Sequence, residues 1–112
     1  YLRSEILFTA GVHPDARAAD LDDETLGALS RAIRALAFRA YRTRGETATK
    51  AWVRARRAAG HPRRASRHWV FEREEEPCPR CGTTILRREV ASRRLYLCPR
   101  CQPAPARKEL AA

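Results

Sequence analysis

Four cysteines near the end of the chain have the spacing of a metal site. They form two CxxC pairs, Cys78 with Cys81 and Cys98 with Cys101, separated by 16 residues. A gap of two residues lets both sulfur atoms of a pair reach one ion, and four thiolates complete the tetrahedral coordination of zinc. Because no position remains for water or substrate, such an ion would fold the chain without doing chemistry. The sequence therefore predicts one structural zinc ion.

Two other uses of paired cysteines are a set of disulfides and a redox motif. Disulfides need an oxidising compartment, and no secretion signal is visible in the sequence. A redox CxxC motif does not need a second copy at this spacing. Zinc is the preferred interpretation.

The residues between the cysteine pairs have the pattern of a β-hairpin. Segments 83–90 and 93–97 are strand-like and meet near Ala91 and Ser92, and Gly82 allows a tight turn after the first pair. We expect a zinc-clasped hairpin.

The first half of the chain has helical periodicity. Residues 1–10 read as a mostly buried helix that stops at Gly11. A second, amphipathic helix is capped by Asp20 or Asp22 and extends to about Arg42, with apolar residues at steps of three and four.

The pattern is weaker in the rest of the chain. Residues 48–59 favour a short helix, and the basic stretch 60–67 reads as a mobile loop. Residues 68–71 are a short strand candidate, and 72–76 form a charged connector. Residues 103–112 have no core-forming pattern, and we expect a disordered tail.

The charge indicates a polyanionic partner. Lys and Arg total 23 against 13 Asp and Glu, which gives a net charge of +10. Residues 46–112 hold 16 of the bases and seven of the acids, a net of +9, so the partner is expected to bind mainly there. Nucleic acid is favoured over an acidic membrane surface, since no apolar run is long enough to span a bilayer.

Two motifs in the same order resemble a known family. The segment CPRCGTTI…SRRLYLCPRCQ, with VFEREEEPC overlapping its start, is similar to the C-terminal zinc finger of the formamidopyrimidine-DNA glycosylase and endonuclease VIII family. YLRSEILFTAGVHP resembles that family's helix-two-turns-helix segment. The opening Tyr-Leu-Arg favours the endonuclease VIII side. Residues 46–68 and the tail do not match.

The resemblance implies a mainly α fold with a small β zinc finger. A helix-two-turns-helix helical DNA-binding domain would span 1–68, the zinc-finger hairpin 69–102 and the tail 103–112. The implied partner is double-stranded DNA containing a damaged base or an abasic site. A monomer is expected, in the bacterial cytoplasm and associated with the nucleoid, with no membrane contact.

The resemblance also implies roles for individual residues. Arg93 matches the arginine that the family places at the hairpin tip, where it grips phosphates and helps to hold the flipped nucleotide. Tyr1 would lie at the edge of the lesion pocket, and Glu5 near the active site. Arg94 is kept as a candidate DNA-binding residue, although a solvated surface charge is the simpler interpretation for it.

The family's reaction implies a further expectation. Its enzymes are bifunctional glycosylases and β-elimination lyases that use an N-terminal Pro as nucleophile and a neighbouring Glu for proton transfer. This chain has no Met and begins at Tyr1 inside a helical pattern, so it reads as a fragment that binds DNA without cutting it. The alternative is a non-catalytic zinc-ribbon module for tRNA, other RNA, or a ribosomal or transcription-associated role.

Overall fold

The computed structural model describes residues 1–105 and has a helical region followed by a β-hairpin. Two short 3₁₀ turns lie in the connections, at Ala18–Asp20 and Arg63–Ala65. The predicted fold class, mainly α with a small β unit, is confirmed. The elements in chain order are α1 (Leu2–Ala10), α2 (Asp23–Thr43), α3 (Lys50–Ala58), β1 (Leu86–Val90) and β2 (Arg93–Leu97).

Helix α1 ends where the sequence predicts, at Gly11. This residue has φ 73°, a left-handed conformation, and its N–H bonds to the carbonyl groups of the last helical turn. A Cβ atom at Gly11 would also lie 3.4 Å from the carbonyl oxygen of Cys101. Glycine is therefore favoured here by the backbone conformation and by the close approach of the zinc-binding segment.

The other two helices begin at polar caps. The Asp22 carboxylate accepts a hydrogen bond from the Thr25 N–H at 2.8 Å and caps α2, as predicted. Thr49 caps α3 in the same way, and α3 covers most of the helix predicted over 48–59. Among residues 1–105 no helix is long and apolar enough to cross a lipid bilayer.

The hairpin is two-stranded and antiparallel. Its register pairs Leu86 with Leu97 at the open end and Val90 with Arg93 at the closed end. Two residues form the turn, Ala91 at φ 51° and Ser92 at φ 65°, which fits a type I′ turn. The first strand begins three residues later than predicted, at Leu86.

Helix α1 packs on the hairpin and shares its core. Phe8 belongs to one buried cluster with Val70, Ile85, Tyr96 and two of the cysteines. The Tyr96 N–H also donates to the Ser4 hydroxyl oxygen at 3.1 Å. The division into domains 1–68 and 69–102 stays a prediction. Residues from both sides of this boundary pack in one core.

The predicted strand at 68–71 is wrong. Glu5, with 0% of its surface exposed, turns its carboxylate toward this segment from α1. Three successive backbone N–H groups bond to that carboxylate, so they are not available to a neighbouring strand. The donors are the amides of Trp69 (2.5 Å), Val70 (2.8 Å) and Phe71 (3.0 Å), together with the Thr47 hydroxyl (2.6 Å).

The segment predicted as a mobile loop, 60–67, is anchored to the helical region. The Arg63 guanidinium donates to the carbonyl oxygen of Thr43 at 2.8 Å. Ser66 is buried, and its hydroxyl donates to the Pro62 carbonyl at 2.7 Å. The sequence pattern missed these contacts because they are not periodic.

Only the first residues of the predicted tail, 103–112, belong to the described stretch of the chain. Residues 103–105 have no regular secondary structure. Residues 106–112 lie outside the described residues, so the disordered tail stays a prediction.

The Glu5 carboxylate should be a major source of stability. In Glu5→Gln the amide nitrogen replaces one acceptor and faces backbone donors. We expect the free energy of unfolding in urea to fall by about 2 kcal/mol or more, since buried donors lose their acceptor. Glu24→Gln, at an exposed carboxylate in the first turn of α2, is the matched control and should change it by less than about 1 kcal/mol. Equal losses in the two variants would contradict this role.

Candidate metal centre and nucleic-acid interface

The four cysteine sulfur atoms converge on one point. All four lie within 4.8 Å of one another. Cys78 Sγ is 3.9 Å from Cys101 Sγ, and Cys81 Sγ is 3.4 Å from Cys98 Sγ. A tetrahedron with zinc–sulfur bonds of about 2.3 Å requires sulfur–sulfur distances of about 3.8 Å. The residues therefore fit a single zinc ion coordinated by sulfur alone.

Backbone amides support the thiolates. The Arg80 N–H donates to Cys78 Sγ at 3.3 Å, and the Cys101 N–H donates to Cys98 Sγ at 3.4 Å. Such bonds stabilise negative charge on sulfur, the form that binds metal. Each CxxC pair thus brings its own charge-stabilising donor.

Gln102 joins the second cysteine pair to the helical region. Its Oε1 accepts from the Cys98 N–H at 2.9 Å, and its Nε2 donates to the Val12 carbonyl at 2.9 Å. Nearby, Arg88 on β1 bonds to Asp15 at 3.0 Å. These contacts hold the hairpin against the connection that follows α1.

The candidate DNA-binding residues lie at the surface. Arg93 directly follows the hairpin turn and is exposed, and so is Arg94, which is paired across the strands with Glu89. Tyr1 is 46% exposed, and its ring stacks on His68 at a centroid distance of 4.7 Å.

Electrostatics relate the hairpin turn to the start of α1. The pKa of the Tyr1 amino group is lowered, first by burial and then by the charges of Arg3 and Arg93, against the raising effect of Glu5. Arg93 therefore lies near enough to Tyr1 for its charge to be felt there.

Glu5 lies in a different setting from the one expected for an active-site neighbour. Both carboxylate oxygens accept hydrogen bonds from within the chain. Burial raises the pKa of Glu5, and the hydrogen bonds from Thr47 and the three amides oppose that rise. Its place near an active site stays a prediction. Its hydrogen bonds to Thr47 and to the amides of residues 69–71 give it a structural role.

The sequence missed a buried histidine next to this network. His68 Nδ1 lies 2.8 Å from the Thr47 hydroxyl oxygen, which itself bonds to Glu5. Burial first, and then the neighbouring charges of Arg67 and the chain's amino group, lower the pKa of His68 to about 3. The ring is therefore neutral at physiological pH. No local pattern points to it, because Thr47 is 21 residues away in the chain.

A second missed cluster surrounds Trp52 of α3. The guanidinium groups of Arg56 and Arg73 each lie 5.0 Å from the Trp52 ring, and the Trp69 ring is 5.1 Å away. Arg73 is buried and also donates to the Trp69 and Pro77 carbonyl groups. These cation–π contacts make two of the many arginines structural.

Comparison with known proteins covers most of the chain. The profile of the zinc finger found in FPG and IleRS matches residues 75–104. The chain is 39% identical over 93 residues to formamidopyrimidine-DNA glycosylase of Cronobacter sakazakii, which covers 83% of the chain and 34% of the relative. It is 37% identical over 96 residues to endonuclease 8 of Klebsiella pneumoniae, covering 86% and 33%. The chain corresponds to the C-terminal portion of the formamidopyrimidine-DNA glycosylase and endonuclease VIII family.

A solved structure of MutM in complex with DNA containing carbocyclic 8-oxo-G has the same fold. The TM-score is 0.72 at 25% identity, over 92% of this chain and 36% of the MutM chain. The chain thus spans about a third of the length of the relatives that it matches. Relatives of both names match at similar identity, so the preference for the endonuclease VIII side stays a prediction.

The family match and the sulfur geometry agree on the metal. The chain binds one structural zinc ion through its four cysteines, as predicted. The zinc supplies a fixed tetrahedral centre, and Gln102 and the backbone amides orient the chain around it.

Removal of zinc should unfold the hairpin. Without the ion, the buried cluster loses the centre that holds Cys78 and Cys98 together. We expect a strong chelator to collapse the dispersion of the amide NMR signals of 86–97, and readdition of one equivalent of zinc to restore it. Metal analysis should give one zinc per chain. Unchanged hairpin signals in metal-free protein would refute the structural role.

His68 should make the chain less stable in acid. Its folded-state pKa of about 3 lies below the unfolded value of 6.5, so only the unfolded state gains a proton between these values. The unfolding free energy should therefore fall as the pH drops below about 6.5, by up to about 1.4 kcal/mol per pH unit.

The test compares two histidine variants of the zinc-loaded chain. His68→Gln should reduce the dependence of unfolding free energy on pH between about 5 and 6.5. His61→Gln, at an exposed histidine, should retain the slope of the unaltered chain. If His68→Gln retained it as well, the buried neutral ring would not be its source.

Proposed function

We propose that this chain binds duplex DNA containing a damaged base or an abasic site, as the C-terminal DNA-binding portion of a base-excision repair glycosylase. The similarity over 83% of the chain to a named DNA glycosylase carries this proposal. The MutM structure of the same fold holds DNA with a modified guanine, which supports the choice of substrate. The net charge of +10 supplies attraction to the phosphate backbone.

Arg93 is the proposed main contact at the lesion. A planar guanidinium can bond to phosphate oxygens with two donors, and a hairpin turn can extend toward a groove. Its exposed position directly after the hairpin turn supports this contact. Arg94 is proposed as a second phosphate contact, and Tyr1 as a wall of the lesion pocket.

The activity of the whole protein belongs to the same proposal. The family resemblance implies a bifunctional glycosylase and lyase, with its nucleophile in the portion of the relatives that this chain does not span. We expect the chain alone to bind lesions without cleaving the strand. A monomer in the bacterial cytoplasm, bound to the nucleoid, fits the bacterial relatives. The helical domain over residues 1–68 and the finger over 69–102 would be the two DNA-contacting units.

A second candidate function is RNA binding. The matching zinc-finger profile covers fingers of both FPG and IleRS, so the finger alone does not separate DNA from tRNA. Competition between abasic duplex DNA and tRNA for the zinc-loaded chain distinguishes the two. Displacement of DNA by equimolar tRNA would favour the RNA-binding module.

Arg93→Ala should weaken binding to abasic-site DNA by about 1–3 kcal/mol, because a charge-assisted contact is lost. Fluorescence anisotropy with abasic and undamaged duplexes of one sequence measures the effect. Arg34→Ala, at an exposed arginine of α2, removes the same charge and should weaken both duplexes slightly and equally. If Arg93→Ala kept the full preference for abasic DNA, the assignment of the hairpin turn would be wrong.

A further inference from the structure

The segment between Glu46 and Glu72 accounts for most of the chain's net positive charge. Its 25 residues, 47–71, contain seven Lys and Arg and no Asp or Glu, so they carry +7 of the net +10. This positive charge lies outside the zinc hairpin, so the role of the hairpin does not explain it.

Three of the seven cations have structural contacts or are partly buried. Arg56 donates to the Ala65 carbonyl and stacks on Trp52, and Arg63 donates to the Thr43 carbonyl. Arg67 is partly buried. The contacts of Arg56 and Arg63 stabilise the packing of α3 and the segment after it.

Three of the remaining cations form one row on α3. Lys50, Arg54 and Arg57 occupy positions i, i+4 and i+7, which lie on one side of an α-helix. All three are exposed, and within residues 1–105 none has an ion pair or a side-chain hydrogen bond. Val53, which is buried, and Trp52, which is partly buried, lie on other sides of the helix and pack toward the rest of the chain. The cation row therefore faces solvent and is free to bind.

The position of Lys50 is unfavourable for the helix itself. It is the first residue of α3, at the positive end of the helix dipole, and the first turn contains no acidic residue. A cation there opposes helix stability. An external anion bound along Lys50, Arg54 and Arg57 would offset this cost.

We propose that Lys50, Arg54 and Arg57 form a second phosphate-contacting surface for duplex DNA, separate from the hairpin turn. The proposal rests on the DNA-binding function proposed above. Seven residues of α-helix rise about 10 Å, and one DNA strand carries about three phosphates over that axial length. A row of this length therefore has phosphates of the duplex within reach of all three side chains.

The neighbouring residues favour duplex DNA over other polyanions. The flank beside the row is made of exposed alanines, Ala51, Ala55 and Ala58, which leave a phosphate backbone room to approach. A helix that binds at a membrane surface needs large apolar residues on such a flank. Single-stranded RNA is bound by stacking on open aromatic rings, whereas Trp52 is covered by Arg56, Arg73 and Trp69.

The test compares two triple variants with equal net charge. One is Lys50→Gln, Arg54→Gln and Arg57→Gln. The matched control is Arg31→Gln, Arg34→Gln and Arg42→Gln, at exposed positions of α2. Both lower the net charge from +10 to +7. Gln has a helix propensity similar to that of Lys and Arg, and far-UV circular dichroism checks that each variant is folded.

Binding to abasic and undamaged duplexes is measured between about 50 and 200 mM salt, where phosphate contacts dominate the salt dependence. The α3 triple should reduce the slope of log K against log salt by about 2.7, which is three contacts at about 0.9 each. It should weaken both duplexes by the same factor, since phosphate contacts do not read the base. The control triple should change the slope by less than about 1.

Equal slopes for the two triples would overturn the proposal. So would a loss confined to the abasic duplex, or a loss of binding to single-stranded RNA or phosphatidylserine vesicles with duplex binding unchanged. A different result would contradict the proposed repair function: equal binding of abasic and undamaged DNA by the unaltered chain. In that case a fall in slope on undamaged duplex would still support the α3 surface.

Discussion

The buried carboxylate of Glu5 is the contact on which the arrangement of this small molecule depends. It accepts a hydrogen bond from the Thr47 hydroxyl, which lies between α2 and α3. It also accepts hydrogen bonds from the three backbone amides of residues 69–71, which precede the hairpin. Four donors offset the cost of burying a charged group. Since Val70 and its neighbours complete the core around Phe8, the position of the hairpin follows from this one side chain.

Zinc supplies the second constraint, at the other end of α1. Gln102 connects the zinc-binding Cys98 to Val12, just after the helix, while Glu5 lies near its start. A core of this size gains little from apolar burial alone, so a metal and a polar network share the task. Helix α1 is held at both ends, and the hairpin turn with Arg93 is held with it.

Local patterns explain what could be predicted from the sequence. The cysteine spacing, Gly11, the Asp22 cap and the periodicity of α2 each act within a few residues of the chain, and each prediction was confirmed. The strand at 68–71 was wrong because its apolar residues satisfy their amides with a carboxylate 64 to 66 residues away. His68 and Arg73 were missed for the same reason, since their environments come from distant segments.

The two tryptophans, which are the only ones in the chain, have a practical consequence. Trp52 belongs to α3 and Trp69 to the segment before the hairpin, and their rings lie 5.1 Å apart with guanidinium groups beside Trp52. Indoles this close couple electronically, and a nearby cation alters their emission. The molecule therefore contains its own optical reporter of whether α3 is docked, readable without any attached dye.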